Sequence, residues 1–202
     1  MESNLTPQQR CAWVPAGDAL YTAYHDWEWG RPSRDDRHLF EMLVLEGFQA
    51  GLSWRTILSK RPAFRVAFDG FDPEKVARYD ENKVLSLMNN SGIVRNRLKI
   101  RAAVSNAQAF LEIAREYGSF SNYLWGFVNH EPVTLLALPV PARTPLSDHI
   151  SLDLIRRGMR FAGSTIIYAY LQAVGVVNDH EPGCFLAGSQ LLLSNRSIEP
   201  EV

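Results

Sequence analysis

The stretch NNSGIVRNRLKIRAAVSNAQAFLEIAREYG, residues 89–118, decides the architecture. From Leu98 to Tyr117 the residues Ile100, Ala103, Val104, Ala107, Phe110, Leu111 and Ala114 recur at spacings of three and four, and Gly118 follows as a stop. That is one long amphipathic helix with a glycine terminator. Upstream, Asp80 is positioned to cap a second helix carrying Val84, Leu85, Leu87 and Met88. The connection between them is short, contains Gly92, and leads into four cations in seven residues: Arg95, Arg97, Lys99 and Arg101. Two amphipathic helices joined by such a turn form a helix-hairpin-helix. Its turn amides and helix N-terminus attract a phosphate, and the neighbouring cations add attraction that carries no sequence information. Gly92, Arg95, Arg97 and Lys99 are therefore candidates for gripping a DNA backbone. A solvated turn beside a charged helix face has the same composition, so spacing alone leaves the choice open.

Helical periodicity continues on both sides. Ser33 with Asp35 and Asp36 marks the start of a helix through Leu39, Phe40, Leu43 and Leu45. Ser53 is a cap for a helix with Trp54, Ile57 and Leu58, which Pro62 should end or bend. Asp72-Pro73 opens a short helix through Val76 and Tyr79. Pro132, Pro139, Pro141 and Pro145 mark a long loop over 129–146, crossing between two helical lobes, after which Ser147 and Ser164 read as caps. No strand hairpin and no internal repeat is evident. The expected class is all-α, with about eight to ten helices at ordinary helix and loop lengths. The charge-free run Phe161–Asn178 contains Gly163, Gln172 and Gly175 and is short for a membrane span, so it reads as a buried helix. A net charge of −1 does not advertise a polyanionic partner, so a nucleic-acid surface must be a local patch. The polar start MESNLTPQQR lacks the apolar core of a signal peptide, and two cysteines fit a reducing, cytoplasmic setting.

Two features point to chemistry. Glu46 lies in FEMLVLEGFQAGLSW after four consecutive apolar residues. Buried without a partner, a carboxylate there costs several kcal/mol, so it must reach solvent or meet a complementary group. Upstream, CAWVPAGDALYTAYHDWEWG concentrates Trp13, Tyr21, Tyr24, Trp27 and Trp29. Aromatics at this density are commonly core, but with an acid they also suit a flat cationic ligand. Separately, the only two cysteines, Cys11 and Cys184, sit at opposite ends of the chain, near His25 and His180 respectively. Metal ligands, a disulfide and two unrelated buried thiols all fit that spacing.

RCAWV (10–14), AYHDWEWG (23–30), LFEMLVLEGFQAGLSW (39–54), FVNHEPV (127–133) and VNDHEPGC (177–184) occur in the order of the bacterial 3-methyladenine DNA glycosylase I family. The chain resembles that family from about Arg10 to Cys184. The resemblance implies a helix-hairpin-helix glycosylase fold of two helical lobes over 10–184. The hairpin would lie at about 80–117, with a flexible extension at 1–9 and a tail at 185–202. It implies a zinc clasp from 11–25 and 180–184, with one structural Zn2+ on Cys11, His25, His180 and Cys184. Base binding would fall to Trp13, Tyr21, Tyr24 and Trp54, and Glu46 would be the catalytic and recognition acid. The implied activity is monofunctional excision of 3-methyladenine, extending to 3-methylguanine, from double-stranded DNA at the bacterial nucleoid by a monomer. A non-catalytic binder of alkylated DNA on the same fold is the alternative. Three departures accompany the match: Phe48 replaces a familiar glutamine, Leu98 replaces a familiar glycine, and one extra residue separates Cys11 from His25. No aspartate lies between Asp80 and Asp148, so the downstream aspartate of many helix-hairpin-helix glycosylases is lacking.

Overall fold

The computed structural model describes residues 9–134 and 139–187, so most of the expected extension and tail, 1–8 and 188–202, lies outside the described residues. Nine helices dominate what is described: α1 (Ala19–Trp27), α2 (Asp36–Gln49), α3 (Trp54–Ala67), α4 (Pro73–Val76), α5 (Glu81–Asn89), α6 (Arg97–Tyr117), α7 (Phe120–Gly126), α8 (Pro145–Arg156) and α9 (Ser164–Ala173). Two strands, β1 (Val133–Thr134) and β2 (Val177–Asn178), form a parallel pair with Val133 opposite Val177. Hydrophobic periodicity gave no sign of that pair, because two residues are too few to alternate. Otherwise the expected all-helical fold is observed.

The helix boundaries follow from local chemistry. Asn96 caps α6 by accepting from the backbone N–H groups of Leu98 (3.0 Å) and Lys99 (3.2 Å), and Gly118 closes the helix at φ +82°. One face of α6 buries Ile100, Ala103, Ala107, Phe110 and Ile113. Asp35 caps α2 through the His38 N–H at 2.8 Å. The neighbouring Asp36 reaches away and accepts from Phe120 N (2.9 Å) and Ser121 N (2.7 Å), so one helix satisfies free first-turn N–H groups of another, α7, whose own N-cap is Ser119. Pro62 neither ends nor visibly divides α3, which runs on to Ala67. The helix forgoes the bond that a residue-62 N–H would donate, and burial of Ile57, Leu58 and Phe64 on its inner face holds it together. At α8 the cap is Thr144, followed by Pro145, while Ser147 completes a reciprocal capping box.

The central helix is α2, with every residue from Leu39 to Phe48 buried. It packs against α3, α6, α7 and α9. The core is a single hydrophobic cluster reaching from Cys11 to Leu186, so the two lobes share one interior. The charge-free run forms α9 and β2, and no helix among the described residues is long and apolar enough to cross a membrane.

Candidate base pocket, metal centre and nucleic-acid interface

α1 begins where Asp18 accepts from Leu20 N (3.1 Å) and Tyr21 N (3.2 Å), while its other oxygen takes Arg55 Nε from α3 at 2.5 Å. Tyr21 and Tyr24, three residues apart, share one face of that helix. Facing them are Glu46 and Gln49 of α2 and Trp54, the first residue of α3. Trp13 sits edge-on to Tyr21 at 5.8 Å and to Trp29 at 5.0 Å, and Tyr24 lies 5.4 Å from Trp54. Together these side chains line a cavity of about 540 Å³, an ordinary size for a small-ligand site. All five residues expected to touch a base are brought into this one wall.

Glu46 is 4% exposed, and no hydrogen bond or ion pair reaches its carboxyl among the described residues. Burial alone pushes its pKa up to about 8, so the free protein holds it protonated at neutral pH. Nearby, the indole N–H of Trp54 is buried without a hydrogen-bond partner among the described residues. An unpaired acid and an unpaired donor in an aromatic cavity suit a planar ligand with nitrogen donors, acceptors and positive charge. The cavity also includes Trp29 from the aromatic segment, together with Gln49, Gln172, Asp179 and Glu181, which the sequence did not single out as site residues. Gln49, Asp179 and Glu181 stand inside the blocks QAG (49–51) and NDHEPGC (178–184), beside the more conspicuous acid and histidines, whereas Gln172 lies in α9 outside these blocks. Asp179 accepts from Gln172 at 2.7 Å and from the Tyr168 hydroxyl, so its carboxylate fastens α9 to the loop after β2.

Beneath Trp13 and Trp29, Cys11, His25, His180 and Cys184 come together, all buried, with their donor atoms within 4.8 Å of one another. The cysteines are free thiols, which removes the disulfide option. Cys11 Sγ lies 3.5 Å from His180 Nδ1, and Cys184 Sγ lies 3.4 Å from His25 Nε2 and 3.6 Å from His180 Nδ1. A tetrahedral zinc with bonds of about 2.3 Å to sulfur and 2.0–2.1 Å to nitrogen needs S···N edges of about 3.5 Å, so the donor set fits. His25 Nδ1 meets Asp26 Oδ1 at 2.7 Å, and Asp26 is held in turn by Arg10, which leaves His25 Nε2 to face the thiols. The Glu181 N–H points at Cys11 Sγ at 3.4 Å. Burial pushes the Cys11 thiol up to about 12, while burial and the nearby His25 hold His180 down to about 4. A metal would displace the thiol protons and find the His180 imidazole already neutral. Gly30, at φ +76°, is needed here: a Cβ would lie 2.8 Å from His180 Nε2.

The hairpin of α5, the turn at 90–96 and α6 is present, and its cations are not equivalent. Arg95 is exposed with no ion-pair partner among the described residues, whereas Arg97 and Arg101 both pair with Glu81 of α5. Lys99 is only 7% exposed, and its ammonium donates to the carbonyls of Phe48 (2.9 Å) and Ala50 (2.5 Å). It is therefore withdrawn from the cations facing solvent, where the sequence placed it. The exposed Leu98 and Arg160 line a groove beside it with Arg101. Phe48 is fully inside, 4.9 Å from Phe64 and 5.8 Å from Phe68, so that departure is absorbed by the core and does not alter the cavity.

A family model described as methyladenine glycosylase matches residues 13–187. DNA-3-methyladenine glycosylase 1 of Escherichia coli (strain K12) is 48% identical over 179 residues, covering 87% of this chain and 95% of that protein. A crystal structure of 3-methyladenine DNA glycosylase I superposes with a TM-score of 0.84 at 48% identity, over 88% of this chain and 98% of that one. A variant of 3-methyladenine DNA glycosylase I solved in complex with 3-methyladenine superposes at 0.82 with 38% identity, over 87% and 97% of the two chains.

Proposed function

The chain belongs to the methyladenine glycosylase family, and from that premise we propose that it hydrolyses the N-glycosidic bond of 3-methyladenine in alkylated DNA. It is a base-excision repair enzyme, a hydrolase of N-glycosyl bonds. The observation that carries this reading is the unpartnered Glu46 carboxyl in an aromatic cavity. Methylation leaves the base in the nucleotide with a formal positive charge. A cation within contact lowers the pKa of Glu46, so the buried acid ionises against the alkylated base and has nothing to pair with against neutral adenine. Trp13, Tyr21, Tyr24 and Trp54 supply stacking surface, worth about 1–3 kcal/mol per base, against an extrusion cost of a few kcal/mol. The alkylated base leaves neutral and needs little protonation. Water is then the nucleophile, no lysine intermediate is called for, and a monofunctional enzyme results. Lys99 faces inward but toward the end of α2, which speaks against a Schiff base.

The glycosylase unit of this reading spans 10–184 and acts as a monomer on double-stranded DNA at the bacterial nucleoid. Gly92, Arg95 and Arg97 of the hairpin meet the backbone, with Arg97 exchanging Glu81 for a phosphate. Zinc is the metal that Cys11, His25, His180 and Cys184 would hold. With two thiolates, two imidazoles and no open position, it supplies structure and no reaction step. Incubation with methylated DNA tests the function: free 3-methyladenine should appear, and Glu46→Ala should abolish its release while leaving the fold intact. Tight binding to methylated DNA without release would favour the non-catalytic alternative, for which the exposed Leu98 is the remaining motive.

A further inference from the structure

Two lysines that are not spent on carboxylates join the DNA-facing hairpin to the walls of the base cavity. Lys99, in the first turn of α6, donates to Phe48 O and Ala50 O, the carbonyls at the C-terminal end of α2. Those carbonyls lack intrahelical partners, and a buried cation there also meets the negative end of the helix dipole. In the opposite direction Lys60, half-buried on α3, donates to Ser91 O (3.1 Å) and Gly92 O (3.3 Å) in the hairpin turn. The turn rests directly on α3: a Cβ at Gly92 would lie 3.0 Å from Ala63 Cβ. Ile93, next in the turn, is 2% exposed. The end of α2 and the start of α3 are the segment that carries Glu46, Gln49 and Trp54 to the cavity.

We infer that Lys60 and Lys99 are positioning residues that couple the hairpin's hold on the DNA backbone to the placement of the base pocket, so that docking of the duplex sets the depth at which an extruded nucleotide meets Glu46 and Trp54. The inference rests on the glycosylase reading above and deepens it. Neither lysine touches the base, and Lys99 is too buried to meet a phosphate. Each instead spends its ammonium on carbonyls of the partner segment, a crossed pair of charge-assisted bonds that resists sliding of one segment past the other. Misplacement of a reacting group by about 1 Å is enough to cost on the order of a hundredfold in rate.

Lys60→Met and Lys99→Met keep the aliphatic stems and remove the ammonium groups. Three measurements on the full-length zinc-loaded protein, well below its melting temperature, separate coupling from the alternatives. Coupling predicts that single-turnover release of 3-methyladenine from saturating methylated duplex falls about tenfold or more in each variant. Affinity for free 3-methyladenine, which reports the pocket alone, stays within about twofold, well short of the tenfold that 1.4 kcal/mol represents. The salt dependence of binding to undamaged duplex, which reports the phosphate contacts alone, keeps its slope. Lys99→Arg, able to donate to both carbonyls, restores part of the rate. A salt slope reduced by about 0.9 in either variant would make that lysine a phosphate contact and overturn the inference. Matched release by wild type and both variants would overturn it too, as would parallel losses in all three measurements, which mean general loosening. Should Lys99→Met fail to fold, the half-exposed Lys60→Met decides by the same criteria. Absence of release by the wild-type chain overturns the proposed function and this inference with it.

Discussion

Glu46 is the residue at which composition and environment disagree most. An acid held protonated near neutral pH makes two predictions about pH. If the ionised carboxylate recognises the cationic base, kcat/KM for 3-methyladenine excision rises through a free-protein ionisation near 8, and Glu46→Gln flattens that limb. The stability effect has the opposite sign. The folded pKa lies above the unfolded value of 4.5, so the contribution of Glu46 is most favourable below about pH 4.5 and is eroded as pH rises to about 8. Glu46→Gln should therefore melt higher than wild type at pH 8, with the difference closing toward pH 4.5. Equal melting curves at pH 8 would mean that the carboxyl finds a partner in solution. The sequence marked Glu46 as misplaced among Leu45, Gly47 and Phe48, but could not say whether it reached solvent.

At the scale of elements, α1, α2 and α3 are locked by a buried ionic chain. Glu41 of α2 takes Arg61 Nε and Arg65 Nε, both at 2.7 Å, and Glu28, just past α1, takes Arg61 Nη1 at 2.7 Å and His38 Nε2 at 3.1 Å. Burial pushes Glu28 up, but the hydrogen bonds from His38 and Arg61 win and hold it at about 2. Removing Glu41 leaves Arg61 with Glu28 as its remaining carboxylate partner, so Glu41→Gln should cost about 1.5–3 kcal/mol in urea unfolding, the worth of a charge-assisted hydrogen bond. Arg65→Met, at the exposed end of the chain, should cost less than about 1 kcal/mol. Because these helices carry Tyr24, Glu46 and Trp54, the Glu41 variant should also weaken base binding. α2 and α3 were legible in the sequence, since apolar spacing and capping residues are local signals, whereas α1 and α7, short and crowded with aromatics, were not read as helices. The exceptions have physical causes: Pro62 is tolerated because α3 is held by its buried face, and the β1–β2 pair is too short to leave a period.

For the molecule as a whole, the candidate metal site joins segments far apart in the sequence, Cys11 with Cys184. Metal analysis should find close to one zinc per chain. Chelation, or Cys184→Ser with its lower occupancy, should reduce the melting temperature by on the order of 10 °C, since metal binding is coupled to folding. Excision should fall in parallel, because His25 and His180 pack against Trp13 and Trp29, which form the cavity wall. A stable, fully active, metal-free protein would remove the structural role assigned to zinc.

The sequence by itself determined the helical architecture, the hairpin with its basic turn, the suspicious acid and the two thiol–imidazole pairs. These are signals of composition and period, written within one or two turns of chain. Only the tertiary structure decided which of them share a site. It brought Trp13, Tyr24, Glu46 and Trp54 to one cavity and gathered the four candidate metal donors within 4.8 Å of one another. It also turned Lys99 from the solvent to the end of α2 and buried Phe48 in the core. The reason is that a side chain's direction at a helix end depends on which carbonyls or apolar faces the rest of the chain brings within reach. That depends on packing between segments far apart in sequence, to which local spacing is blind.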